Sequence, residues 1–327
     1  ARRMQGQGGR DRQPDRRQGQ PEGGLKEGFM KIRVLVDNNT LIDRYFVGEP
    51  AVCYYIEMDG MRILFDTGYS DVFLKNAGAM GMDMKDITHI VLSHGHNDHT
   101  GGLAHVCADC MGIQHPRPDI RLVAHPGCFE PKVCDGEDIG SPWGRNVAET
   151  CFSYIPAVKP WFLSENCVFL GQIPRKNGFE GRDAIGVRKP WDGGYADAGG
   201  QGKPCVNGQI EDGWQQDTLE DDSALVCKAE HGLFIITGCS HSGICNIVDY
   251  AVKVCGESRI VGILGGFHLF DVDNRLEQTI RYLERMGVKT LYPCHCVSLK
   301  AKIKMAETLN VSEVGVGMEI MAQDRMC

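Results

Sequence analysis

Residues 93–102 read SHGHNDHTGG and directly follow the apolar segment 87–92, which is predicted to be a strand. Three imidazoles and one carboxylate fall within six residues of this stretch, at His94, His96, Asp98 and His99. Neutral imidazole and carboxylate groups are typical ligands of zinc, iron and manganese. Because a solvated loop rarely carries four such groups at this spacing, the stretch predicts a metal site.

The spacing also indicates how these side chains share the metal. A loop that leaves a strand end turns alternate side chains to the same side, so His94 and His96 are expected to bind one ion. Asp98 and His99 are expected to lean toward a second ion. The spacing alone leaves open whether one or two ions bind.

Periodicity on both sides of this stretch predicts the fold. Alternating apolar residues and short apolar runs predict strands at 30–36, 52–57, 61–65, 121–124, 167–170, 224–228, 233–237, 259–264 and 288–292. Helical spacing predicts helices at 70–79, 100–106, 244–256, 276–287 and 301–309. Hairpins come first, alternating strands and helices follow, and this order occurs twice. It predicts an α/β protein built as a four-layer αββα sandwich, with two sheets face to face and helices outside.

The composition divides the chain into a tail, a domain and an insertion. Residues 1–28 are rich in Gly, Gln and Arg and are predicted to be a disordered basic tail. Residues 29–327 are predicted to form the sandwich domain. Within it, residues 126–222 are dense in Gly, Pro, Trp and Cys. We expect this segment to be a loop-rich insertion that shapes the pocket.

The charge is unevenly distributed along the chain. The first 28 residues carry seven basic and four acidic groups, whereas the other 299 carry 28 basic and 39 acidic groups. An acidic body argues against a nucleic-acid partner, because phosphate binding needs clustered Lys and Arg. The apolar runs are too short for a membrane helix. The sequence therefore favours a small molecule as the partner and leaves the oligomeric state open.

The cysteine count indicates a reducing compartment. The chain has 15 cysteines, an odd number, and no stretch near its start has the apolar core of a signal peptide. A disulfide framework is typical of short secreted chains with an even count. We therefore expect reduced thiols and a cytoplasmic location.

The pattern His94-x-His96-x-Asp98-His99 resembles the signature of the metallo-β-lactamase superfamily, and residues 64–68 (LFDTG) resemble the strand and turn that precede it. The resemblance covers roughly residues 30 to 320. It implies an αββα sandwich with one or two divalent metal ions between the sheets, at one edge. Zinc is expected, and manganese or iron are the alternatives. In that family a metal-bound water or hydroxide is the usual nucleophile, and most members are hydrolases.

The resemblance implies further ligands later in the chain, where three histidines each follow a predicted strand and a tight turn. They are His241 in GCSHSG, His268 in GGFH and His295 in PCHC. Because ligands collect at strand ends in layered sheets, all three are candidate metal ligands.

The sequence departs from the family pattern at one corner of the expected site. Most two-metal members carry a bridging aspartate in Thr-Gly-Asp there, whereas this chain has Thr237-Gly238-Cys239. Three replacements stay open: a thiolate from Cys239, the imidazole of His241, or a carboxylate from Asp221 or Asp222.

Roles around the metal follow from this arrangement. Asp98 is expected to be a ligand and a proton acceptor, and His295 to hold the leaving or polarised oxygen. Asp66 is expected to accept a hydrogen bond from a ligating imidazole and fix its tautomer, with capping of the turn at Gly68 as the alternative. The candidate substrate-pocket residues are Asn38, Asn39, His125 and Arg175. Arg175 and Lys176 are candidates to bind an anionic group, with solvated surface charges as the favoured alternative.

A narrower resemblance rests on five separated motifs: VDNN at 36–39, GQIPR at 171–175 with FE at 179–180, GCSH at 238–241, GGFH at 265–268 and PCHC at 293–296. Together they resemble a branch known mostly as metal-dependent hydrolases. That branch includes the archaeal synthase that joins a dihydropterin to a ribofuranosylaminobenzene phosphate.

Three hypotheses about function follow. The first is a metal-dependent hydrolase of a small ester, thioester, lactone or phosphoester. The second is a transferase of the dihydropterin ribofuranosylaminobenzene-phosphate synthase type that uses the same metal site. The third is a non-hydrolytic redox or metal-binding protein. Di-iron relatives usually carry Glu at the position of His96, which weighs against the third.

Overall fold

The computed structural model describes residues 30–107, 115–180, 183–191, 205–206 and 209–322. Two main sheets lie face to face and carry helices on their outer faces, so the chain folds as the predicted four-layer αββα sandwich. The predicted disordered tail, residues 1–28, lies outside the described residues.

The first sheet has seven strands. In spatial order they are Glu319–Ala322, Met30–Val36, Cys53–Met58, Met61–Phe65, His89–Val91, Arg117–Ala124 and Phe152–Pro156. The first four strands pair antiparallel, and the strands from Met61–Phe65 onward pair parallel. The carboxyl ends of the parallel strands therefore lie at one edge, where Asp66 and the 93–102 stretch follow two of them.

The second sheet has six strands. In spatial order they are Leu291–Pro293, Ile260–Gly265, Gly232–Thr237, Ala224–Ala229, Cys167–Phe169 and Trp161–Ser164. The first three are parallel and the remaining pairs are antiparallel. The ends of the three parallel strands lie side by side, and each is followed by one of the candidate ligands His241, His268 and His295.

Smaller elements complete the described structure. A four-stranded sheet contains Gln215–Gln216, Val187–Arg188, Lys132–Cys134 and Glu137–Asp138, and a short pair joins Cys205–Val206 to Gln209–Ile210. The α-helices are Val72–Ala79, Asn97–Thr100, Leu103–Cys107, Arg145–Cys151, Ile244–Cys255, Asn274–Arg285 and Leu299–Ala306. Single 3-10 turns are formed by Met84–Asp86 and Pro126–Phe129. Across the described ranges, no helix has the length and apolarity needed to cross a bilayer.

Local sequence explains where the outer helices begin and end. The side chain of Asp273 accepts a hydrogen bond from the N–H of Leu276, and Ser298 caps the next helix in the same way. Gly256 adopts a left-handed conformation directly after Cys255 and ends that helix. The helix-capping residues in the sequence therefore mark where these helices begin and end.

Three apolar clusters separate the four layers. Ile63 and Phe65 point into the cluster between the sheets, where the second sheet contributes Phe169 and Phe234. Leu64, between them in the chain, belongs to the cluster under the helices of the first sheet. This alternation buries both faces of the strand and leaves its end as the place where polar side chains collect.

Two features differ from the sequence prediction. The edge strand Glu319–Ala322 was not predicted, because four residues carry too little periodicity, and it forms by pairing with Met30–Val36. Within residues 126–222, the predicted strand 167–170 is present as Cys167–Phe169, but two further strands were not predicted. Phe152–Pro156 forms an edge of the first sheet, and Trp161–Ser164 forms an edge of the second. These two short edge strands are decided by pairing rather than by their own sequence pattern.

Candidate metal centre

Three histidines meet at the edge of the sandwich. Ring nitrogens of His94, His96 and His241 all lie within 4.8 Å of one another. Nε2 of His94 is 3.0 Å from Nδ1 of His96, and the ring of His241 lies 4.8 and 5.0 Å from the other two rings, centroid to centroid. The two sheets therefore each supply part of one compact group, which we call the three-histidine group.

The nitrogens of this group fit a metal cation. Nε2 of His96 and both ring nitrogens of His241 are buried and have no hydrogen-bond partner among the described residues. Burial lowers the pKa of His94 and His241 well below the ordinary value and lowers that of His96 to about 4. A buried imidazole without a partner is costly, and a neutral imidazole is the form that binds metal.

A second group of four side chains lies beside the first. Ligand atoms of Asp98, His99, Cys239 and His295 lie within 4.8 Å of one another. Oδ2 of Asp98 is 3.2 Å from Nε2 of His295 and 3.6 Å from Nε2 of His99. The Cys239 thiol is 3.3 Å from Nε2 of His99. The rings of His94 and His99 are 4.2 Å apart, so the two groups adjoin.

Opposite charges are balanced in the second group. Burial alone would lower the pKa of His99, but the carboxylates of Asp98 and Asp66 raise it to about 9. Burial would raise the pKa of Asp98, but His99 and His295 hold it well below its ordinary value. In the metal-free protein a proton on His99 thus balances the carboxylates, and a bound cation would take over that role.

Asp66 orients the ring of His99 through a hydrogen bond with Nδ1, the ring nitrogen that lies away from the second group. Its Oδ2 accepts hydrogen bonds from Nδ1 of His99 at 2.7 Å and from Oγ of Ser93 at 2.8 Å, and its Oδ1 accepts from the Ser93 N–H at 2.7 Å. The N–H of Gly68 donates instead to the Val52 carbonyl. Asp66 therefore leaves Nε2 of His99 facing the second group.

Glycine is required where the turns of the two sheets touch. A Cβ atom at Gly238 would collide with the Oγ of Ser93. A Cβ atom at Gly95 would collide with the carbonyl oxygen of Cys128. Gly238 thus permits the close approach of the turns that carry His241 and His94, and Gly95 lets the histidine stretch pass close to the Pro126–Phe129 turn.

His295 is held by two residues that directly follow the strand Met30–Val36. Its N–H donates to Oδ1 of Asp37 at 3.0 Å, and its Nδ1 is 3.1 Å from Oδ1 of Asn38. The Asn39 N–H donates to the other oxygen of Asp37. Asn38 thus touches the site, Asn39 shapes the turn, and the fully buried Asp37 is a residue that sequence reasoning missed. The position of Asp37 at a strand end, within VDNN, is the signal that could have identified it.

His268 is placed beside the centre but outside both ligand groups. Its ring centroid is 4.6 Å from that of His241 and 4.8 Å from that of Phe270. Its Nδ1 is buried without a hydrogen-bond partner among the described residues. Asp221 and Asp222 also stand outside both groups and instead bind backbone N–H groups of the site turns.

The other two pocket candidates have structural partners. Nδ1 of His125 accepts the N–H of Gly127 at 3.1 Å and so begins the Pro126–Phe129 turn. Arg175 donates to the carbonyls of Thr218 and Leu219. Arg175 also lines a cavity of about 510 Å³ whose wall includes Lys159, Asp222 and Ser242. Ser242 directly follows His241, so this cavity borders the three-histidine turn.

The fold and the histidine motif define the class. Residues 47–120, which include the histidine motif, match the family model described as "Metallo-beta-lactamase superfamily". The predicted resemblance to this superfamily is confirmed, and so is the predicted sandwich.

Two curated relatives are similar to the chain over most of its length. The chain is 29% identical over 287 residues to the 7,8-dihydropterin-6-methyl-4-(β-D-ribofuranosyl)-aminobenzene-5'-phosphate synthase of Methanocaldococcus jannaschii, covering 84% of this chain and 89% of the synthase. An uncharacterized protein of the same organism is 29% identical over 288 residues, which cover 85% of this chain and 95% of that protein.

Two solved structures have a fold similar to that of this chain. A crystal structure described as Tm1679, a metal-dependent hydrolase of the β-lactamase superfamily, matches 90% of this chain and 100% of its own, with 26% identity and a TM-score of 0.70. The metallo-β-lactamase fold protein YhfI of Bacillus subtilis matches 90% of this chain and 99% of its own with a TM-score of 0.51, and its 11% identity supports the fold alone.

Proposed function

We propose that this chain is a metal-dependent hydrolase of a small anionic ester, thioester, lactone or phosphoester. The observation that carries the proposal is the pair of adjoining ligand groups, one of which buries ring nitrogens without partners. His94, His96 and His241 would hold one divalent cation, and Asp98, His99, Cys239 and His295 would hold a second. Zinc is the proposed metal, with manganese or iron as alternatives.

A bound cation would supply Lewis acidity that makes water a better nucleophile at neutral pH. The side chains supply position and proton transfer. Asp98 is the most solvent-accessible of the ion-paired side chains in the second group, at 19% exposure against 6% for His295 and 0% for His99. It therefore faces an incoming substrate and is proposed to accept a proton. His295, anchored by Asp37 and Asn38, is proposed to hold the polarised oxygen of the substrate.

The wall of the 510 Å³ cavity supports an anionic substrate. Lys159 and Arg175 contribute positive charge. Of the acidic wall residues, Glu220 pairs with Arg188 at 3.3 Å, and burial raises the pKa of Asp222 to about 6. A cavity of this size accommodates a small molecule. We therefore propose a small-molecule partner rather than a nucleic acid, in keeping with the acidic body of the chain.

A reducing, cytoplasmic compartment belongs to the same proposal. Twelve cysteines among the described residues carry free thiols, and Cys239 stands in a ligand group. A thiol ligand needs reducing conditions to stay available.

The test combines metal analysis with a substrate screen. The protein is purified anaerobically, its metal content is measured, and metal-free and reconstituted samples are screened against esters, thioesters, lactones and phosphoesters. We expect turnover that depends on metal and is lost in His96→Ala but kept in His105→Ala, whose histidine is exposed and distant from both groups. Full metal occupancy without turnover of any class would contradict hydrolysis.

A transferase of the synthase type is the second candidate, and the 29% identity to the archaeal synthase over most of both chains favours it. The reconstituted protein is incubated with an activated dihydropterin and ribofuranosylaminobenzene 5'-phosphate. A joined product without hydrolysis of generic substrates would favour transfer. Bound iron with a redox signal and neither activity would favour the third class, a redox or metal-binding protein.

A further inference from the structure

Two consecutive carboxylates lie between the turns that carry the three-histidine group. Oδ2 of Asp222 accepts hydrogen bonds from the N–H of Ser242 at 2.8 Å and from its Oγ at 2.5 Å. Ser242 is the residue directly after His241. Asp222 is 1% exposed, and its other oxygen has no hydrogen-bond partner within the described ranges. The side chain of Asp222 therefore bonds to the His241 turn.

Asp221 holds the opposite turn. Its Oδ2 accepts the N–H of Gly95 at 2.8 Å, and Gly95 lies between His94 and His96. The adjacent backbone reinforces this contact, because the N–H of Ser223 donates to the Ser93 carbonyl at 2.9 Å.

A buried lysine supports Asp221 from the far side. Nζ of Lys132 is 3.1 Å from Oδ1 of Asp221 and 2.9 Å from Oδ2 of Asp217, and all three side chains are buried. Burial alone would raise the pKa of Asp221, but the Lys132 ammonium outweighs it and holds that pKa below the ordinary value. Asp221 is thus kept ionised, which strengthens its hydrogen bond to the Gly95 N–H.

We infer that Asp221 and Asp222 are positioning residues that clamp the three histidines into one group. His94 and His96 follow a strand of the first sheet, and His241 follows a strand of the second, so no single element sets their separation. Asp221 contacts the first turn through a charge-assisted hydrogen bond to Gly95, and Asp222 contacts the second turn through hydrogen bonds to Ser242. Metal ligands need such outer contacts because small shifts of a ligand weaken the site.

The arrangement also argues against direct ligation by either carboxylate. Asp221 uses both oxygens on Gly95 and Lys132, and Asp222 uses one on Ser242. Neither contributes an atom to the ligand groups of the described residues. Their chemistry is that of hydrogen-bond acceptors that hold a backbone in place.

The inference rests on the proposed metal centre, and a cobalt titration tests the two separately. Metal-free wild type and variants are titrated with Co²⁺ in competition with a chromophoric chelator, and the visible ligand-field spectrum is recorded. Asp222→Ala should weaken cobalt affinity about 10- to 100-fold and alter the spectrum. Asp222→Asn keeps an oxygen acceptor for Ser242 and should restore most of the affinity. Asp249→Ala, which loses a carboxylate bonded to Tyr282, should bind cobalt as wild type does.

The cobalt titration distinguishes failure of the metal centre from failure of the clamp. Wild type that binds no cobalt contradicts the metal centre itself. Wild type that binds, together with a folded Asp222→Ala of unchanged affinity and spectrum, overturns the clamp alone. An Asp222→Asn variant as weak as Asp222→Ala also overturns it, because charge and not a hydrogen bond would then matter. If Asp222→Ala does not fold, Ser242→Ala decides: it removes only the Oγ donor, and wild-type affinity in that variant overturns the clamp.

Discussion

Oδ2 of Asp66 accepts a hydrogen bond from Nδ1 of His99 at 2.7 Å, and both side chains are fully buried. This contact fixes which ring nitrogen of His99 faces Asp98 and Cys239. Because all three groups bonded to Asp66 are donors, an amide at this position would place its NH₂ against one of them. The contact thus ties the turn of residues 64–68 to the proposed second metal group.

Asp66→Asn is therefore expected to weaken metal binding about 10- to 100-fold while the fold persists. Affinity is measured by chelator competition, with circular dichroism as the check on folding. Asp86→Asn, which changes an exposed aspartate, is the matched control. Unchanged affinity in Asp66→Asn would show that His99 does not depend on this contact.

His96→Ala is expected to lose the cation of the three-histidine group and the activity, with the fold retained. The ring nitrogen Nε2 that it removes has no hydrogen-bond partner among the described residues, so the loss of that atom breaks no hydrogen bond within them. Metal content by mass spectrometry and a thermal unfolding curve check both parts. Full metal occupancy in His96→Ala would remove His96 from the ligand set, and His105→Ala serves as the control.

Cys239→Asp is expected to shift metal preference from zinc toward manganese. The thiol of Cys239 is 3.3 Å from Nε2 of His99, at the position where the family resemblance implies a bridging aspartate. A carboxylate is a harder ligand than a thiolate. Competitive loading with equal zinc and manganese measures the ratio, and Cys255→Ser controls for the loss of a thiol. An unchanged ratio would indicate that Cys239 binds no metal.

Lys132→Met is expected to destabilise the fold by about 3–5 kcal/mol, because it leaves Asp221 buried without its counterion and Asp217 with only Arg188 at 3.9 Å. Urea unfolding measures the change. Adding Asp217→Asn to Lys132→Met removes one of the two carboxylate charges that Lys132 balances and should recover part of the loss. A Lys132→Met variant of wild-type stability would contradict the importance of this buried network.

His89 is expected to make the metal-free protein less stable in acid. Burial lowers its pKa from 6.5 to about 4, with Arg121 adding to the effect. As pH falls from 6.5 to 4, the His89 imidazole is protonated in the unfolded chain but stays neutral in the folded protein. The free energy of unfolding therefore falls, by up to about 3 kcal/mol. Above pH 6.5 the residue has no such effect.

The measurement is the free energy of unfolding of wild type and His89→Gln at several pH values. The difference between the two should change between pH 6.5 and 4 and stay constant above that range. His105→Gln, at an exposed histidine, should track wild type throughout. A constant difference across the whole range would show that His89 is protonated equally in both states.

The sequence predicted the strands with a clear apolar alternation well and two edge strands poorly. Met30–Val36 and Met61–Phe65 have the predicted bounds, because their alternation is intrinsic to strands that bury residues on both faces. Phe152–Pro156 and Glu319–Ala322 exist because a neighbouring strand pairs with them. Asp217 and Lys132 were not singled out, because a single buried charge leaves no periodic signal.

By itself, the sequence determined the sandwich and the metal-binding character of residues 94–99, since periodicity and ligand spacing are local properties of the chain. Only the tertiary structure decided which distant side chains join them. His241 and His295 enter the ligand groups and His268 stands beside them, although all three follow strands in the same way. The reason is geometric: strand register, the close turns at Gly95 and Gly238, and the carboxylates behind the histidines set positions that no local pattern encodes.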